Sequence, residues 1–164
     1  MNRGFAFDTE YELWVLLTQA YRALVRLREN ELRSTGISMM QSGVLAIAKA
    51  LDEPPTPTQI SRWLCREPHT VSMLLRRMEK KGLIRRMKDT ERRNSIRVIL
   101  TPKGEEAYRR SRNRRELHRI LASLSPGKRK NLASCLEVLR DKAVENTCLR
   151  RAEIESRLRL SPIG

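Results

Sequence analysis

The side chains best suited to chemistry are the arginines and lysines in the middle of the chain. Residues 62–97 contain 12 Lys/Arg and 4 Asp/Glu, so this stretch carries about half of the formal net charge of +15. Positive charge this dense predicts a polyanionic partner, with nucleic acid first and an anionic membrane surface second. Aromatic residues make up only 4% of the chain, which disfavours binding by stacking bases on exposed rings.

A predicted helix over about 68–81 places many of these cations on one side. Its apolar positions recur at helical spacing, so that one side is buried and the other is exposed. The outer side presents groups that can contact base edges in a DNA major groove. These groups are His69, Thr70, Ser72, Met73 and Arg76. Arg76 suits a bidentate contact to guanine, while Thr70 or Met73 suits a thymine methyl group. Capping of the helix is an equally good interpretation of Thr70.

A basic turn between two short strands follows this helix. The strands are predicted at 83–87 and 96–100, the second from its period-two alternation of apolar residues. Arg92 and Arg93 lie in the turn and suit insertion into a narrow minor groove, whose negative potential attracts arginine. A solvated basic turn is the alternative interpretation. The other basic residues of the hairpin, Arg85, Arg86, Lys88 and Arg97, are expected to meet phosphates or solvent.

Six helices are predicted to position this unit, from their capping residues, prolines and apolar spacing. Their approximate ranges are 9–33, 39–51, 57–64, 68–81, 102–124 and 126–145. The first helix has a long apolar stripe, which needs a large partner surface such as a second subunit. The predicted fold class is mainly α with a small β-hairpin, an α+β arrangement, and the absence of repeats or linkers indicates one domain over 1–164.

In this order of elements the chain resembles the MarR family of bacterial winged-helix regulators. Four segments carry the resemblance: 56–60 at the start of the third helix, 70–84 in the fourth helix and its exit, 89–93 in the turn, and 100–104 at the junction that follows. It covers about residues 8–145. One position departs from the family pattern, because Arg92 stands where family members often have an aspartate before the wing arginine. A carboxylate–arginine brace in this wing therefore has to come from elsewhere, with Asp89 or Glu91 as substitutes.

The resemblance implies a winged helix-turn-helix over 38–101, dimerisation helices at 8–35 and 102–146, and a C-terminal extension at 147–164. It implies a homodimer that regulates transcription, more often as a repressor released by a small molecule or another signal. The partner is then double-stranded DNA with a near-palindromic operator. By the same resemblance Arg77 contacts phosphate or braces the wing. The alternative function is a basic structural or RNA-associated protein that binds nucleic acid without sequence preference.

Other classes of site find little support in the sequence. Cys65 and His69 are four residues apart, but a stable metal site needs three or four ligands, so no metal site and no cofactor are predicted. Core packing of a reduced Cys65 is preferred over a redox switch. No phosphate loop or nucleophile motif indicates an enzyme. No apolar run spans a bilayer, and the three widely spaced cysteines suggest reduced thiols, so the expected location is the cytoplasm, away from membranes. The basic run at 108–115 is open to DNA contact, intersubunit pairing or solvation, and the last two are preferred.

Overall fold

The computed structural model describes residues 8–89 and 95–159, with side chains through residue 146. It is mostly helical with one antiparallel hairpin, as the sequence predicts. The elements are α1 (Thr9–Leu32), α2 (Met39–Ala50), α3 (Pro57–Leu64), α4 (Pro68–Lys80), β1 (Ile84–Lys88), β2 (Ile96–Leu100), α5 (Pro102–Ser111), α6 (Arg115–Ala122) and α7 (Pro126–Arg159). Its contacts divide the chain into two compact units, residues 1–118 and residues 119–164.

Side-chain caps begin the helices where the sequence predicts them. Asp8 caps α1, with Oδ1 accepting a hydrogen bond from the Tyr11 N–H at 2.8 Å. Ser38 starts α2 and Thr56 starts α3, each in a reciprocal capping box with a glutamine three residues later. These bonds satisfy N–H groups that a helix start otherwise leaves without a partner, so local sequence sets these boundaries.

The core of the first unit lies where α2, α3, α4 and the hairpin meet. Its fully buried side chains come from every one of these elements and from the end of α1: Leu32, Val44, Leu45, Ile60, Val71, Leu75, Met78, Ile84 and Val98. The predicted inner stripe of α4 is therefore the stripe that is buried. Because that side is buried, the outer side of α4 is fixed as a solvent-facing surface.

The hairpin pairs Ile84 with Leu100 at its base and Lys88 with Ile96 toward its tip. A further bond from the Val98 N–H to the Pro55 carbonyl, at 2.9 Å, ties β2 to the segment between α2 and α3. The first strand begins at Ile84 rather than at residue 83, since Leu83 belongs to the exit of α4.

The predicted single helix over 102–124 is wrong. The structure has α5 and α6 instead, separated by residues 112–114. The sequence there contains neither proline nor glycine, so nothing local requires a break. Arg28 and Glu31 of α1 impose it, because they bind the carbonyl and N–H groups that a continuous helix would use internally.

The last helix is also longer than predicted. The sequence prediction ends it near residue 145 and leaves 147–164 as an extension, whereas the backbone of α7 continues to Arg159. No proline or glycine lies between Gly127 and Pro162, so the backbone meets no breaker there. Leu132, Leu136 and Leu139 lie on one side of α7 and are exposed within the chain.

The N-terminal half of α1 has the same character. Leu13, Trp14, Leu16, Leu17 and Tyr21 are all exposed, although the far end of the helix is buried at Arg28 and Leu32. Exposed apolar surface of this extent on one helix is typical of a protein–protein contact. Among the described residues, no helix combines the length and the apolar character that a membrane span requires.

Candidate nucleic-acid interface

The outer face of α4 is the centre of the candidate interface. His69, Thr70, Met73, Arg76 and Arg77 are exposed, and Ser72 is half-buried, so the residues predicted to read bases lie on the side opposite the core. Val71, Leu74, Leu75 and Met78 hold the helix in place from below. A rigid helix with a mixed polar and basic outer face has the size and chemistry to enter a major groove.

The start of α4 bears on the two interpretations of Thr70. Glu67 is the N-terminal capping residue of α4, without a side-chain capping bond, and Pro68 occupies the first turn. Thr70 is exposed and lies within the first turn rather than at the cap position. Its hydroxyl and methyl groups are therefore available to a ligand of the outer face.

Arg76 and Arg77 are both exposed on α4. Arg77 lines a groove of about 370 Å³ between α4 and the start of α2, together with Thr70, Ser38, Gln41 and Lys81. Arg76 is not among the residues that line this groove.

Glu79 joins α4 to the wing. Its two carboxylate oxygens accept hydrogen bonds from the Arg86 backbone N–H at 3.1 Å and from Arg86 Nε at 2.8 Å. The hydrogen bond from Arg86 lowers the pKa of the Glu79 carboxyl and outweighs the opposing effect of burial. The expectation that Arg86 meets phosphate or solvent is therefore wrong, since its guanidinium is used within the protein.

Asp89 supplies the brace that the family pattern places elsewhere. Its Oδ2 lies 2.7 Å from Arg97 Nε across the hairpin, and the Asp89 side chain is 7% exposed. Arg97 also donates from Nη1 to the Pro54 carbonyl at 3.0 Å. Arg97, like Arg86, is thus a structural residue and not the phosphate contact that the sequence suggests. Of the two substitutes considered for the brace, Asp89 makes this contact, and Glu91 lies outside the described residues.

The tip of the wing, with Arg92 and Arg93, lies outside the described residues. The strands that carry it are described, and the Asp89 N–H donates to the Ser95 carbonyl at 2.8 Å where the turn begins and ends. Arg85 and Lys88 are exposed on β1. The basic residues free for an external partner on the described wing are therefore fewer than the sequence suggests.

Two further residues near α4 are exposed. Cys65 lies in the left-handed region at φ 47° and is not the buried core thiol that the sequence suggests. Trp63 of α3 is 65% exposed. No group of three or more metal-ligating side chains occurs among the described residues.

Residues 37–95, which span α2 to the wing, match the model of the MarR family. The predicted resemblance to this family is thereby confirmed for the region that contains α4 and the hairpin. MarR-family members are transcription regulators rather than enzymes, which confirms the prediction that this chain is not an enzyme. No curated protein matches the sequence.

Solved structures extend the likeness beyond the matched domain. The organohalide-sensing transcriptional regulator RdhR-CbdbA1625, bound to 2,4-dichlorophenol, is 28% identical, with 87% of this chain and 85% of that chain covered and a TM-score of 0.74. AbsC, a MarR-family transcriptional regulator from Streptomyces coelicolor, is 20% identical over 87% and 99%, with a TM-score of 0.78. A mutant of MarR from E. coli, complexed with operator DNA, is 18% identical over 83% and 99%, with a TM-score of 0.73. The winged-helix fold thus holds for most of the chain.

Proposed function

We propose that this protein is a homodimeric, sequence-specific DNA-binding transcription regulator, with α4 in the major groove and the wing tip in the flanking minor groove. The observation that carries the proposal is the outer face of α4. It presents Arg76, Met73 and Thr70 to solvent while four apolar residues on its inner side fix the helix. The matched family consists of transcription regulators, and one similar structure contains operator DNA.

Each interface residue has a proposed role. His69, Thr70, Ser72, Met73 and Arg76 are proposed to read base edges. Arg77 is proposed to contact a phosphate at the edge of α4, and Arg92 and Arg93 to enter the minor groove. We also propose the cytoplasm as the location, because a transcription regulator has to reach the DNA.

A homodimer is supported by the apolar surface of two helices. Leu13, Leu16 and Leu17 of α1 are exposed, as are Leu132 and Leu136 of α7. We propose residues 8–35 and 102–146 as the dimerisation regions and 38–101 as the DNA-binding region, with 147–164 as an extension. A symmetric dimer presents two copies of α4, so the operator should be a near-palindrome with half-site centres about 10 base pairs apart.

Repression that a small molecule relieves is the proposed mode of action. An open groove of about 690 Å³ lies between α2 and α5. Leu100, Pro102 and Tyr108 form its apolar part. Its polar part holds charges of both signs, since Lys49 pairs with Glu105 and Arg109 pairs with Glu106. This chemistry suits an aromatic ligand that carries a polar group, and the regulator RdhR-CbdbA1625 holds a chlorophenol.

Selection of DNA from a random pool tests the proposal. The full-length protein is expected to enrich a two-fold symmetric sequence, and footprinting should protect two half-sites on one side of the duplex. Binding should weaken steeply with salt, because phosphate contacts release counterions. Enrichment of no sequence, or protection without symmetry at low salt, would contradict the proposal.

A matched pair of variants tests the role of α4. Arg76→Ala should reduce discrimination at one base pair by about 1–3 kcal/mol, because it removes a contact to a base edge. Arg85→Ala, on the exposed side of β1, should weaken binding to all sequences alike or not at all. Titration of the selected operator and of its single-base variants measures both effects.

The alternative function is a basic structural or RNA-associated protein without sequence preference. Competition of the selected duplex against random duplex and structured RNA discriminates between the two. Equal affinities for all three nucleic acids, with equal effects of Arg76→Ala and Arg85→Ala, would favour this alternative.

A further inference from the structure

Arg28 is a buried cation in α1 with 7% of its surface exposed. Its guanidinium donates from Nη1 to the Asn113 carbonyl at 2.7 Å and from Nη2 to the Ser111 carbonyl. Nη1 also lies 2.9 Å from Glu31 Oε2 in the next turn of α1. A buried guanidinium is costly unless its N–H donors have hydrogen-bond acceptors, and these three oxygens accept from it.

Glu31 completes the arrangement on the other side of the break between α5 and α6. Its Oε1 accepts a hydrogen bond from the Glu116 N–H at 2.8 Å, at the start of α6. Burial raises the pKa of the Glu31 carboxyl. Hydrogen bonds from Arg28 and from the Glu116 backbone, together with the charge of Arg28, outweigh this effect, so the pKa is lowered overall. The ion pair of Arg28 and Glu31 in α1 therefore binds backbone groups at the end of α5 and at the start of α6.

The other end of α5 is fixed to the exit of α4. Thr101 Oγ1 donates to the Gly82 carbonyl at 2.6 Å, and the Thr101 N–H donates to the Leu83 carbonyl at 3.2 Å. Gly104 approaches so closely that a Cβ built there would lie 1.9 Å from the Leu83 carbonyl oxygen. α5 is thus bonded at its start to the base-reading helix and at its end to α1.

We infer that Arg28 and Glu31 are positioning residues for DNA recognition. They fix α5, and through it α4, to the helix whose exposed apolar half is the proposed dimer contact. This inference rests on the proposed function. Without the ion pair each α4 keeps its fold and its base contacts, but its placement relative to the α4 of the second copy is no longer fixed. Recognition of a whole operator then weakens while recognition of one half-site does not.

The test compares full-length Arg28→Met and Glu31→Gln with Arg26→Met, a control at an exposed arginine of the same helix. The probes are the selected duplex, the same duplex with one or two base pairs added or removed between half-sites, and a duplex with one half-site.

Arg28→Met and Glu31→Gln should each lose about tenfold in affinity for the selected duplex, a typical size for coupling between two sites. Their affinity for the single half-site should stay within about twofold, inside the usual error of additivity. Their preference for one spacing should be weaker than that of the control.

The outcomes separate the inference from a merely structural role and from the proposed function. Folded variants with a lower melting temperature but the spacing preference of the control would overturn the inference. So would an equal loss on whole operator and half-site. Arg28→Lys keeps the charge but cannot bridge both carbonyls, and it gives the same comparison if Arg28→Met does not fold. A wild-type protein that selects no symmetric DNA would instead overturn the proposed function, and this inference with it.

Discussion

Glu79 connects α4 to the wing through both of its carboxylate oxygens. Each oxygen holds a different donor of Arg86, one on the backbone and one on the side chain. Because the first is a backbone group of β1, the contact fixes the strand itself and not only a side chain. The orientation of the wing therefore depends on a carboxylate in α4.

The lowered pKa of Glu79 makes this contact sensitive to acid. The group adds stability above its ordinary pKa of 4.5, and that stability is lost as the pH falls through the lower folded value. Glu79→Gln should therefore reduce the loss of stability between neutral pH and about pH 3. Urea denaturation of both proteins at a series of pH values measures the effect. Glu29→Gln is the control, because Glu29 is exposed and has no ion pair in the described part of the chain. An unchanged pH profile in Glu79→Gln would contradict the assignment.

Asp89 should contribute to the stability of the wing, because its side chain is buried and pairs with Arg97 across the hairpin. Asp89→Ala leaves the guanidinium with its bond to the Pro54 carbonyl and its ion pair with Glu53, but removes the carboxylate closest to it. Loss of a charged hydrogen bond costs about 1.5–3 kcal/mol of stability, and DNA affinity should fall as the wing loosens. Chemical denaturation and operator titration measure the two effects. Lys88→Ala, on an exposed neighbour, should leave the stability close to wild type.

At the scale of elements, the contact between α5 and the exit of α4 leaves no room for a side chain at Gly104. An alanine there would favour the helix by about 1 kcal/mol from propensity alone. The clash with the Leu83 carbonyl should reverse this gain. Gly104→Ala is expected to lose about 1–3 kcal/mol of stability, the usual cost of overpacking.

The matched control for this substitution is Gly127→Ala. Like Gly104, Gly127 lies in the first turn of a helix that begins with a proline, but nothing lies within 4 Å of a Cβ built there. Its replacement should leave thermal stability unchanged or raise it slightly. Equal melting temperatures for the two variants would show that the backbone at Gly104 moves more easily than the structure indicates.

At the scale of the whole molecule, one half of α1 and one half of α7 expose apolar side chains to solvent. Burial of this surface requires contact with another molecule. Leu17→Glu places a carboxylate in the proposed contact of each subunit. Because two charges would then be desolvated per dimer, the dimer dissociation constant should rise at least about 30-fold. This corresponds to a loss of about 2 kcal/mol, the size expected for a hot-spot residue. Sedimentation equilibrium measures this change. Gln19→Glu adds the same charge at an exposed position of α1 outside the apolar stripe, and it should remain dimeric. A dimer of unchanged strength in Leu17→Glu would place the interface elsewhere.

The order of elements from α1 to β2, the caps at Ser38 and Thr56, and the inner stripe of α4 were all predictable from sequence. Each depends on residues a few positions apart, whose spacing decides which N–H groups are capped and which side faces the core. The outer face of α4 followed, because burying four apolar residues leaves only the opposite side for Arg76 and its neighbours. The family resemblance had the same local basis in the segments from Thr56 to Gly104.

Tertiary structure decided the features that depend on contacts across long stretches of chain. The break between α5 and α6 comes from Arg28 and Glu31, more than 80 residues away along the chain. Arg86 and Arg97 looked like phosphate contacts until folding placed Glu79 and Asp89 beside them. A charge pattern shows how many cations a segment has, but only the fold shows which of them already have a carboxylate. For this protein, local sequence determined most of the elements and the outer face of α4, and tertiary contacts determined how that face is held.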